Sequence, residues 1–280
     1  MNPAPRRACV MGHPVAHSRS PMIHGYWLKT LGIPGAYELK DLTPEQFPAF
    51  VKNLQANGYV GGNVTVPHKE VAYRLVDGRD AAAEAVGAVN TLWLENGRLM
   101  GGNSDTHGFI ANLDERAAGW NVPGCRAVVL GAGGAGRSAV YALKQRGVEV
   151  DIANRTLARA QELAGRFGAK AHGWDAVPRL LREADVLVNC TSLGLAGKPP
   201  LEIELGPLKQ SAVVYDVIYV PLETGLLAAA RKRGHRTVDG LGMLLQQAGF
   251  GFRKWFGGNP RVTPELRKML EADIVAKTSK

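Results

Sequence analysis

The second half of the chain alternates short apolar runs with segments of helical periodicity. The runs are VVLG, VEVDIAN, DVLVNC and AVVYDV, at residues 128–131, 148–154, 185–190 and 212–217. Such near-continuous apolar character is typical of strands that are buried on both faces. Strands of this kind, separated by helices, predict a parallel β-sheet with helices on both sides.

The first hundred residues also alternate between strand-like and helical segments. Residues 91–102 read TLWLENGRLMGG, so that Asn96 and Gly97 stand between two strand-like runs. An Asn-Gly pair in that position predicts a β-hairpin. We therefore expect two α/β units with a break near residues 102–105, and helices in the last forty residues that pack on either unit.

Composition places the chain among ordinary globular proteins. Of its 280 residues, 45% are hydrophobic and 21% are charged, and no run approaches the ~20 apolar residues that a membrane-spanning helix needs. The apolar stretch near the N-terminus is too short for a signal peptide. Cys9, Cys125 and Cys190 form no paired set that suggests disulfides. The cytoplasm is the expected compartment.

The charge balance narrows the class of partner. A formal net charge of +9 suits either nucleic acid or an anionic small molecule. The basic residues are dispersed, without a block of five or six together, and no aromatic stacking motif accompanies them. We therefore expect a small-molecule partner, with no nucleic acid and no membrane. We allow for a homodimer, because the sequence does not determine the oligomeric state.

A glycine-rich turn follows the strand predicted at residues 128–131. Gly131, Gly133 and Gly136 satisfy G-x-G-x-x-G between that strand and a helical segment. The first glycine permits a tight turn, the second lets a pyrophosphate approach the backbone, and the third lets helix and strand pack closely. A structural turn without a ligand is the alternative. The complete strand-helix-strand context favours dinucleotide binding.

The end of the next strand indicates which dinucleotide binds. Proteins that bind NAD place a carboxylate there for the ribose hydroxyls, whereas this chain has Asn154, Arg155 and Thr156, followed by Arg159. Guanidinium groups bind a phosphate through charge-assisted hydrogen bonds, and a carboxylate would repel it. Solvation of a helix start by the two arginines is the plainer alternative. Their position at the ribose end favours NADP(H).

Three polar clusters in the first unit resist a purely structural explanation. They are HSRSPMIH (17–24), NVTVPHKE (63–70) and the pair AVNT and GGNSDTHGF (88–91 and 101–109). Ser18 and Ser20 precede a helix that begins with proline, so their hydroxyls either cap that helix or bind a carboxylate. Lys69 follows a strand that should be buried. Asp105 falls at the expected domain junction, where small-molecule sites are common.

Together these segments resemble the shikimate dehydrogenase family over nearly the whole chain. The matching motifs, in order, are GHPVAHSRSP (12–21), NVTVPHK (63–69), GAVNT (87–91), NSD (103–105), GAGGAG (131–136), NRT (154–156), NCTSLG (189–194), YDVIY (215–219) and DGLGMLLQQA (239–248). So many motifs in one order are far more specific than any single motif. The family reduces 3-dehydroshikimate to shikimate with NADPH, on the route to aromatic amino acids.

The resemblance implies a fold and a division of the chain. We expect two α/β domains, a central Rossmann-like NADP domain over residues 105–240 and an N-terminal mixed-sheet substrate domain. The substrate domain would comprise residues 1–104 and be completed by C-terminal helices within residues 241–280.

The resemblance also implies roles for individual residues. Lys69 and Asp105 would form the catalytic pair. Ser18 and Ser20 would hold the substrate carboxylate, helped by Tyr219. The ring hydroxyls would be held by Thr65, Lys69, Asn90, Asp105 and Gln247. The cofactor would contact the glycine turn, that is Gly131, Ala132, Gly133, Gly134, Ala135 and Gly136. Its 2′-phosphate would be surrounded by Asn154, Arg155, Thr156 and Arg159, and its nicotinamide would be lined by Thr191, Val217 and Gly240.

Two details qualify the resemblance. Where the family usually continues Asn-Thr-Asp-Gly, this chain has Asn103, Ser104, Asp105 and Thr106, followed by His107, to which we give no role. The aspartate is kept, so the chemistry is unaffected. His13 and His17 have helical spacing, but they lie in an expected loop without a carboxylate. We therefore expect no metal site.

Three other functions compete with this interpretation. A quinate/shikimate dehydrogenase with broader substrate and NAD use would be expected to carry an acid near Arg155, which this chain lacks. A catalytically silent NADP-binding regulator could lose Lys69 or Asp105, and both are kept. A nucleic-acid-binding module should show a basic stripe, and none is visible. Which of Lys69 and Asp105 moves the proton cannot be read from the residues.

Overall fold

The computed structural model describes residues 5–278, which form two compact units. The first unit ends at Asp105 and resumes over Leu245–Leu270, and the second comprises Thr106–Leu244 and the segment from Glu271 onward. The boundaries that follow Asp105 and Leu244 each fall inside a helix. The domain division predicted at residues 104 and 240 stays a prediction, as do the roles of the two domains.

The first unit contains a mixed six-stranded sheet, as the family resemblance implies. Its spatial order is β2-β1-β3-β5-β6-β4. β1 pairs in parallel with β2 and β3, whereas β5 is antiparallel to both β3 and β6. The strands are β1 (Arg6–Gly12), β2 (Gly35–Asp41), β3 (Gly61–Val64), β4 (Gly78–Arg79), β5 (Thr91–Glu95) and β6 (Arg98–Gly102).

The predicted hairpin joins β5 to β6. Asn96 and Gly97 both have positive φ, at 51° and 75°, as a two-residue type I′ turn requires. Glu95 pairs with Arg98 across the turn, so the register is set at this point. The turn fixes where Gly102, and the residues that follow it, leave the sheet.

Helices from both ends of the sequence cover the first sheet. They are α1 (Ser20–Thr30), α2 (Gln46–Lys52), α3 (Lys69–Leu75), α4 (Ala81–Val86), and the parts of α10 (Gly240–Phe256) and α11 (Pro264–Thr278) that belong to this unit. Trp255 of α10 is fully buried and donates its indole N–H to the carbonyl of Leu92 at 2.7 Å. Gly61 permits this approach, since a Cβ there would lie 2.2 Å from the indole nitrogen.

The second unit contains a six-stranded sheet in which all pairs are parallel, as the apolar runs predict. The spatial order is β12-β11-β10-β7-β8-β9, which is the doubly wound order of dinucleotide-binding folds. The strands are β7 (Arg126–Leu130), β8 (Glu149–Ala153), β9 (Lys170–His172), β10 (Val186–Asn189), β11 (Val213–Asp216) and β12 (Arg236–Val238).

Alternate residues of β7 enter separate cores on the two faces of this sheet. Ala127 and Val129 belong to one buried cluster, and Val128 and Leu130 belong to the other. Helices and one 3₁₀ turn therefore cover both faces. They are α5 (Ser104–Arg116), α6 (Gly134–Gln145), α7 (Leu157–Phe167), the 3₁₀ turn (Trp174–Ala176), α8 (Val177–Leu180) and α9 (Gly225–Lys232).

The strand order reverses between β7 and β10. In open α/β sheets ligands bind outside the carboxyl ends of the strands at such a reversal. The segments that leave these two ends begin with Gly131 and Cys190. None of the helices within residues 5–278 is both long enough and apolar enough to cross a membrane.

Candidate active site

Lys69 lies at the first position of α3, directly after the turn that leaves β3. The turn is closed by the backbone N–H of His68, which donates to the carbonyl of Thr65 at 2.9 Å. The Lys69 carbonyl in turn accepts a hydrogen bond from the N–H of Val89 at 3.0 Å. Both contacts fix the backbone, so the position of the ammonium group depends on the side-chain torsions alone.

The Lys69 ammonium donates a hydrogen bond to Oδ2 of Asp105 at 2.6 Å. The other carboxylate oxygen of Asp105 accepts from Nδ2 of Asn90 at 2.8 Å. The side chains of Lys69 and Asp105 are 29% and 19% exposed, so a ligand can reach them. An ammonium carries three N–H donors, and Asp105 uses one of those of Lys69.

Asn90 is buried and held by a network of hydrogen bonds. Its Oδ1 accepts from the backbone N–H of Ser104 at 2.8 Å and from the hydroxyl of Thr91 at 2.9 Å. Asn63 supports the same region by donating to the carbonyl of Asn90 at 3.2 Å. The side-chain amide that orients Asp105 is therefore itself held by the first residues of β5 and α5.

Gln247 reaches the same group from the C-terminal helix α10. Its Oε1 accepts a hydrogen bond from the hydroxyl of Ser104 at 2.9 Å. The structure thus connects Lys69, Asn90, Asp105 and Gln247, four of the predicted residues, through Ser104. We call this group the Lys69 cluster. The roles of its members stay predictions.

Thr65 lies in the turn between β3 and α3 and is half-buried. It packs against the end of β1, where a Cβ on Gly12 would lie 2.4 Å from its methyl carbon. Within residues 5–278 its hydroxyl makes no hydrogen bond, so the structure leaves this group open to a ligand.

Ser18 and Ser20 lie together at the start of α1. The hydroxyl of Ser18 donates to that of Ser20 at 3.3 Å and accepts from the N–H of Ser20 at the same distance. The N-cap position of α1 is Arg19, which makes no side-chain capping bond, and Ser18 accepts only a long bond from the first N–H of the helix. The first turn of α1 contains no acidic residue, so its partial positive charge suits a carboxylate.

His13 has a carboxylate partner that its sequence context did not indicate. Its Nδ1 lies 2.6 Å from Oδ1 of Asp41, which β2 brings beside the end of β1. This hydrogen bond lowers the pKa of Asp41. The expectation that no carboxylate accompanies His13 was wrong, because it considered only neighbours in the sequence. Within residues 5–278 no group of three or more His, Cys, Asp or Glu side chains could hold a metal ion.

The glycine turn of the second unit has the geometry that its pattern predicts. Gly131 has φ of 100°, and a Cβ there would lie 3.0 Å from the carbonyl oxygen of Cys190. A Cβ on Gly136 would lie 2.2 Å from the carbonyl oxygen of Gly131. At Gly133 a Cβ would meet nothing within 4 Å, so the space before the N-terminus of α6 is open. These three positions fit a pyrophosphate held by backbone N–H groups.

Asn154 links the glycine turn to the end of β8. Its Oδ1 accepts from the N–H of Ala132 at 3.2 Å, and its Nδ2 donates to the carbonyl of Thr156 at 2.8 Å. Arg155 and Arg159 are exposed, and neither guanidinium group forms a hydrogen bond or ion pair with another residue among 5–278. Two uncommitted guanidinium groups therefore lie beside the dinucleotide turn, as a 2′-phosphate requires.

Two cavities flank this arginine-bearing segment. One of about 310 Å³ is lined by Asn154, Arg155, Trp174, Thr191, Ser192 and Leu193. The other, of about 280 Å³, is lined by Ala132, Gly133, Arg137, Arg159, Glu162, Leu163 and Arg166. The second has three arginines against one glutamate, so its charge suits an anion.

The segments after β10 and β11 are held by buried Asp216. Its carboxylate accepts from the hydroxyl of Thr224 at 2.7 Å and from Nδ2 of Asn189 at 3.0 Å. Burial raises the pKa of Asp216, and these bonds oppose that effect. Asn189 also accepts from the hydroxyl of Thr191 at 2.8 Å, so Asp216 indirectly fixes a predicted cofactor residue.

Val217, Tyr219 and Gly240 also lie in the second unit. Gly240 approaches Val217 so closely that a Cβ would lie 2.1 Å from the Val217 carbonyl oxygen. Tyr219 is half-buried in the segment after β11. Ser18 and Ser20, to which the resemblance assigned the same ligand as Tyr219, belong to the first unit.

The sequence reasoning missed several residues of these sites. Ser104 is the hydroxyl through which Gln247 joins the Lys69 cluster, and nothing in its motif indicates this. Arg166 follows Arg159 by seven positions on α7, a spacing that places both on one helix face and could have indicated it. Trp174 lies outside every recognised motif. His107, left without a role, is exposed on α5.

Comparisons with known proteins agree on one family. The substrate-binding domain of shikimate dehydrogenase matches residues 10–92, and shikimate/quinate 5-dehydrogenase matches residues 113–196. Shikimate dehydrogenase (NADP(+)) of Mesorhizobium japonicum is 58% identical over 277 residues, which cover 98% of this chain and 99% of the relative. That of a Chelativorans species is 57% identical over 273 residues, with 96% and 97% covered.

Solved structures give the same result. Shikimate 5-dehydrogenase of Thermus thermophilus, in complex with NADP(H) and shikimate, superimposes with a TM-score of 0.86 at 37% identity, covering 96% of this chain and 99% of the other. Quinate dehydrogenase of Corynebacterium glutamicum, in complex with NAD, gives 0.88 at 29% identity, with the same coverage. The chain belongs to the shikimate dehydrogenase family.

Proposed function

We propose that the protein is an NADP-dependent shikimate dehydrogenase, which reversibly reduces 3-dehydroshikimate to shikimate on the route to aromatic amino acids. The observation that carries this proposal is the hydrogen bond of 2.6 Å between the Lys69 ammonium and Asp105. A catalytically silent binding protein has no need of an accessible lysine-aspartate pair. The relatives that share this chain's length are named for the same activity.

NADP fits the residues of the second unit. The backbone N–H groups of residues 131–136 would hold the pyrophosphate, and Asn154, Arg155, Thr156 and Arg159 would hold the 2′-phosphate. Thr191, Val217 and Gly240 would line the nicotinamide side. When bound, the reduced cofactor supplies the hydride. An exchange of NADP for NAD is disfavoured, because no carboxylate stands at the end of β8 to bind a free 2′-hydroxyl.

The substrate would bind through hydroxyl and amide side chains that match its own polar groups. Ser18 and Ser20 offer hydroxyls at the positive end of α1, which suits the carboxylate, with Tyr219 as a further donor. Thr65, Asn90 and Gln247 offer hydroxyl and amide groups to the ring hydroxyls. Shikimate carries one carboxylate and three hydroxyls, so this donor and acceptor set matches its chemistry.

Lys69 would act on the oxygen that changes between carbonyl and hydroxyl. Reduction builds negative charge on this oxygen, and a cation at hydrogen-bonding distance stabilises it. Two of the three Lys69 N–H donors are not used by Asp105 and can face the substrate. Asp105, which accepts from both Lys69 and Asn90, holds the ammonium in place. One of the pair transfers the proton that completes the hydroxyl.

A single set of assays tests the proposal. Purified protein is given shikimate with NADP⁺, shikimate with NAD⁺, and quinate with either cofactor, and initial rates are followed at 340 nm. We expect shikimate with NADP⁺ to give the highest kcat/KM, at least ~10-fold above shikimate with NAD⁺, because one charge-assisted contact to phosphate is worth roughly 1.5–3 kcal/mol. No turnover of shikimate would refute the function, and a preference for quinate with NAD⁺ would establish the rival specificity.

Two further proposals concern the setting of the enzyme. We propose a cytoplasmic location, supported by three buried, unpaired cysteines that a reducing compartment would keep so. Fractionation of cells with an antibody against the protein tests this. A homodimer stays a prediction, and light scattering coupled to size-exclusion chromatography measures the molar mass directly.

A further inference from the structure

Trp174 differs from the other tryptophans of the chain. The sequence contains five, and the indole N–H groups of Trp27, Trp93, Trp120 and Trp255 each donate to a protein oxygen. The N–H of Trp174 makes no such bond within residues 5–278. Trp174 is instead half-buried and lines the cavity of about 310 Å³ beside Arg155.

The end of β9 fixes the place of Trp174. The carbonyl of His172 accepts a hydrogen bond from the N–H of Asn154 at 3.2 Å. The Nε2 atom of the His172 ring lies 2.7 Å from the buried Asp151 carboxylate. Two residues later Trp174 opens the 3₁₀ turn. The strand end that anchors Asn154 therefore also positions the indole at the edge of the arginine-bearing segment.

Contacts with the core restrict the indole further. Trp174 packs against the buried cluster that contains Val177, Leu181 and Leu205. Part of the ring is thus held by the protein, and part remains accessible from the cavity. A partly exposed aromatic ring, fixed by its own packing, gives a planar ligand a stacking surface without an ordering cost.

The cavity's chemistry indicates which ligand the surface takes. Arg155 is uncommitted and exposed, and Thr191 and Asn154 add polar groups at the margin. Cavities of roughly 300 Å³ are at the small end of those that hold small molecules. A purine base matches this set, because its faces stack on an aromatic ring and its edge accepts and donates hydrogen bonds.

We infer that Trp174 is a binding residue for the cofactor, whose indole forms the stacking platform for the adenine base. This inference rests on the proposed use of NADP. Trp174 would stack on the adenine base, while Arg155 and Arg159 would bind the 2′-phosphate. Leucine would preserve the apolar contact with the core but not the stacking, whereas phenylalanine would keep part of both.

The test uses a ligand that contains the base but no nicotinamide. Binding of 2′,5′-ADP to the full-length protein is measured by calorimetry for wild type, W174F and W174L. We expect W174L to raise Kd by about 5- to 100-fold, since stacking on an aromatic side chain accounts for a factor of that order per base. W174F should lie between the two. Inorganic pyrophosphate, which lacks the base, should bind all three equally.

Fluorescence and kinetic measurements distinguish a binding role of Trp174 from a merely structural role. Addition of 2′,5′-ADP should quench tryptophan emission in wild type and in the control W120F, which changes a buried tryptophan of the same unit. The quenching should be absent from W174F. In steady state, W174L should raise KM for NADP⁺ and leave kcat and KM for shikimate unchanged. Thermal melting establishes that each variant is folded.

The outcomes separate this inference from the proposed function. An unchanged Kd for 2′,5′-ADP in W174L, or full quenching in W174F, overturns the platform even if shikimate is oxidised normally. Binding of 2′,5′-ADP that depends on Trp174, in a protein that does not oxidise shikimate, supports the platform and refutes the function. A wild-type protein that oxidises shikimate with NADP⁺ but does not bind 2′,5′-ADP also overturns the platform.

Discussion

Replacement of Lys69 by methionine separates an enzyme from a binding protein most directly. Methionine keeps most of the apolar stem and removes the charge and all three donors. The pair with Asp105 is partly exposed, with side chains at 29% and 19% exposure, and such pairs contribute roughly 0–1 kcal/mol to stability. Asp105 also keeps its hydrogen bond from Asn90 at 2.8 Å. We therefore expect K69M to fold with little loss of stability.

The expected effect on turnover is much larger than the effect on stability. The charge on the substrate oxygen is greatest in the transition state, so the interaction with Lys69 is strongest there. Loss of a general acid or base usually costs ~10²- to 10⁴-fold. We expect kcat of K69M to fall by at least ~10²-fold, which corresponds to about 2.7 kcal/mol of transition-state stabilisation. KM for shikimate should change much less, because Ser18, Ser20 and Gln247 remain.

A matched control exists in the same unit. Lys40 is 31% exposed and pairs with Glu38 at 3.2 Å, so K40M removes a comparable ion pair outside the Lys69 cluster. Initial rates with shikimate and NADP⁺, and thermal melting curves, are measured for both variants. K40M should keep near wild-type kcat. The reasoning is refuted if K69M also does so, or if K40M loses as much turnover as K69M.

Three further changes test other parts of the structure. R155A should raise KM for NADP⁺ by ~10-fold or more and that for NAD⁺ little; equal losses would contradict its phosphate role. G136A should lower the free energy of unfolding, measured in urea, by roughly 1–3 kcal/mol, because its Cβ would lie 2.2 Å from the Gly131 carbonyl oxygen. G165A is the control and should not lower it, because a Cβ there would meet nothing within 4 Å. Burial lowers the pKa of His24 to about 3 from 6.5, so the unfolded chain binds more protons between these values. The free energy of unfolding should therefore fall as pH drops below about 6.5, and less steeply in H24F.

Much of the second unit could be predicted from the sequence, because its main features depend on short segments of the chain. The apolar runs indicated parallel strands: β8, β10 and β11 lie within them, and β7 overlaps its run but begins earlier, at Arg126. The edge strands β9 and β12 have only three residues each, which is too short for a periodic signal. Gly131 and Gly136 were readable because the turn needs a positive φ at the first and no Cβ at the second. Such requirements act over a few residues, so the sequence alone contains them.

The first unit shows where sequence reasoning needed the family resemblance. Lys69, Asp105 and Gln247 lie on α3, α5 and α10, and Asn90 directly precedes β5, so no local pattern joins these four residues. The resemblance named these four residues, but it did not indicate that Ser104 links Gln247 to the others at 2.9 Å. Nor did the residues around His13 reveal Asp41, which lies 28 positions away and is placed beside it by the β1–β2 pairing.

The sequence by itself determined the longer strands of the second unit, the hairpin at Asn96 and Gly97, the glycine turn and the absence of an acid after β8. Each depends on backbone conformation or residue type within a short segment. Only the tertiary structure decided that Asn90 orients Asp105, that the guanidinium groups of Arg155 and Arg159 have no partner within residues 5–278, and that Trp174 borders the same cavity as Arg155. These are relations between distant segments, and side-chain packing and strand register set them after the chain has folded.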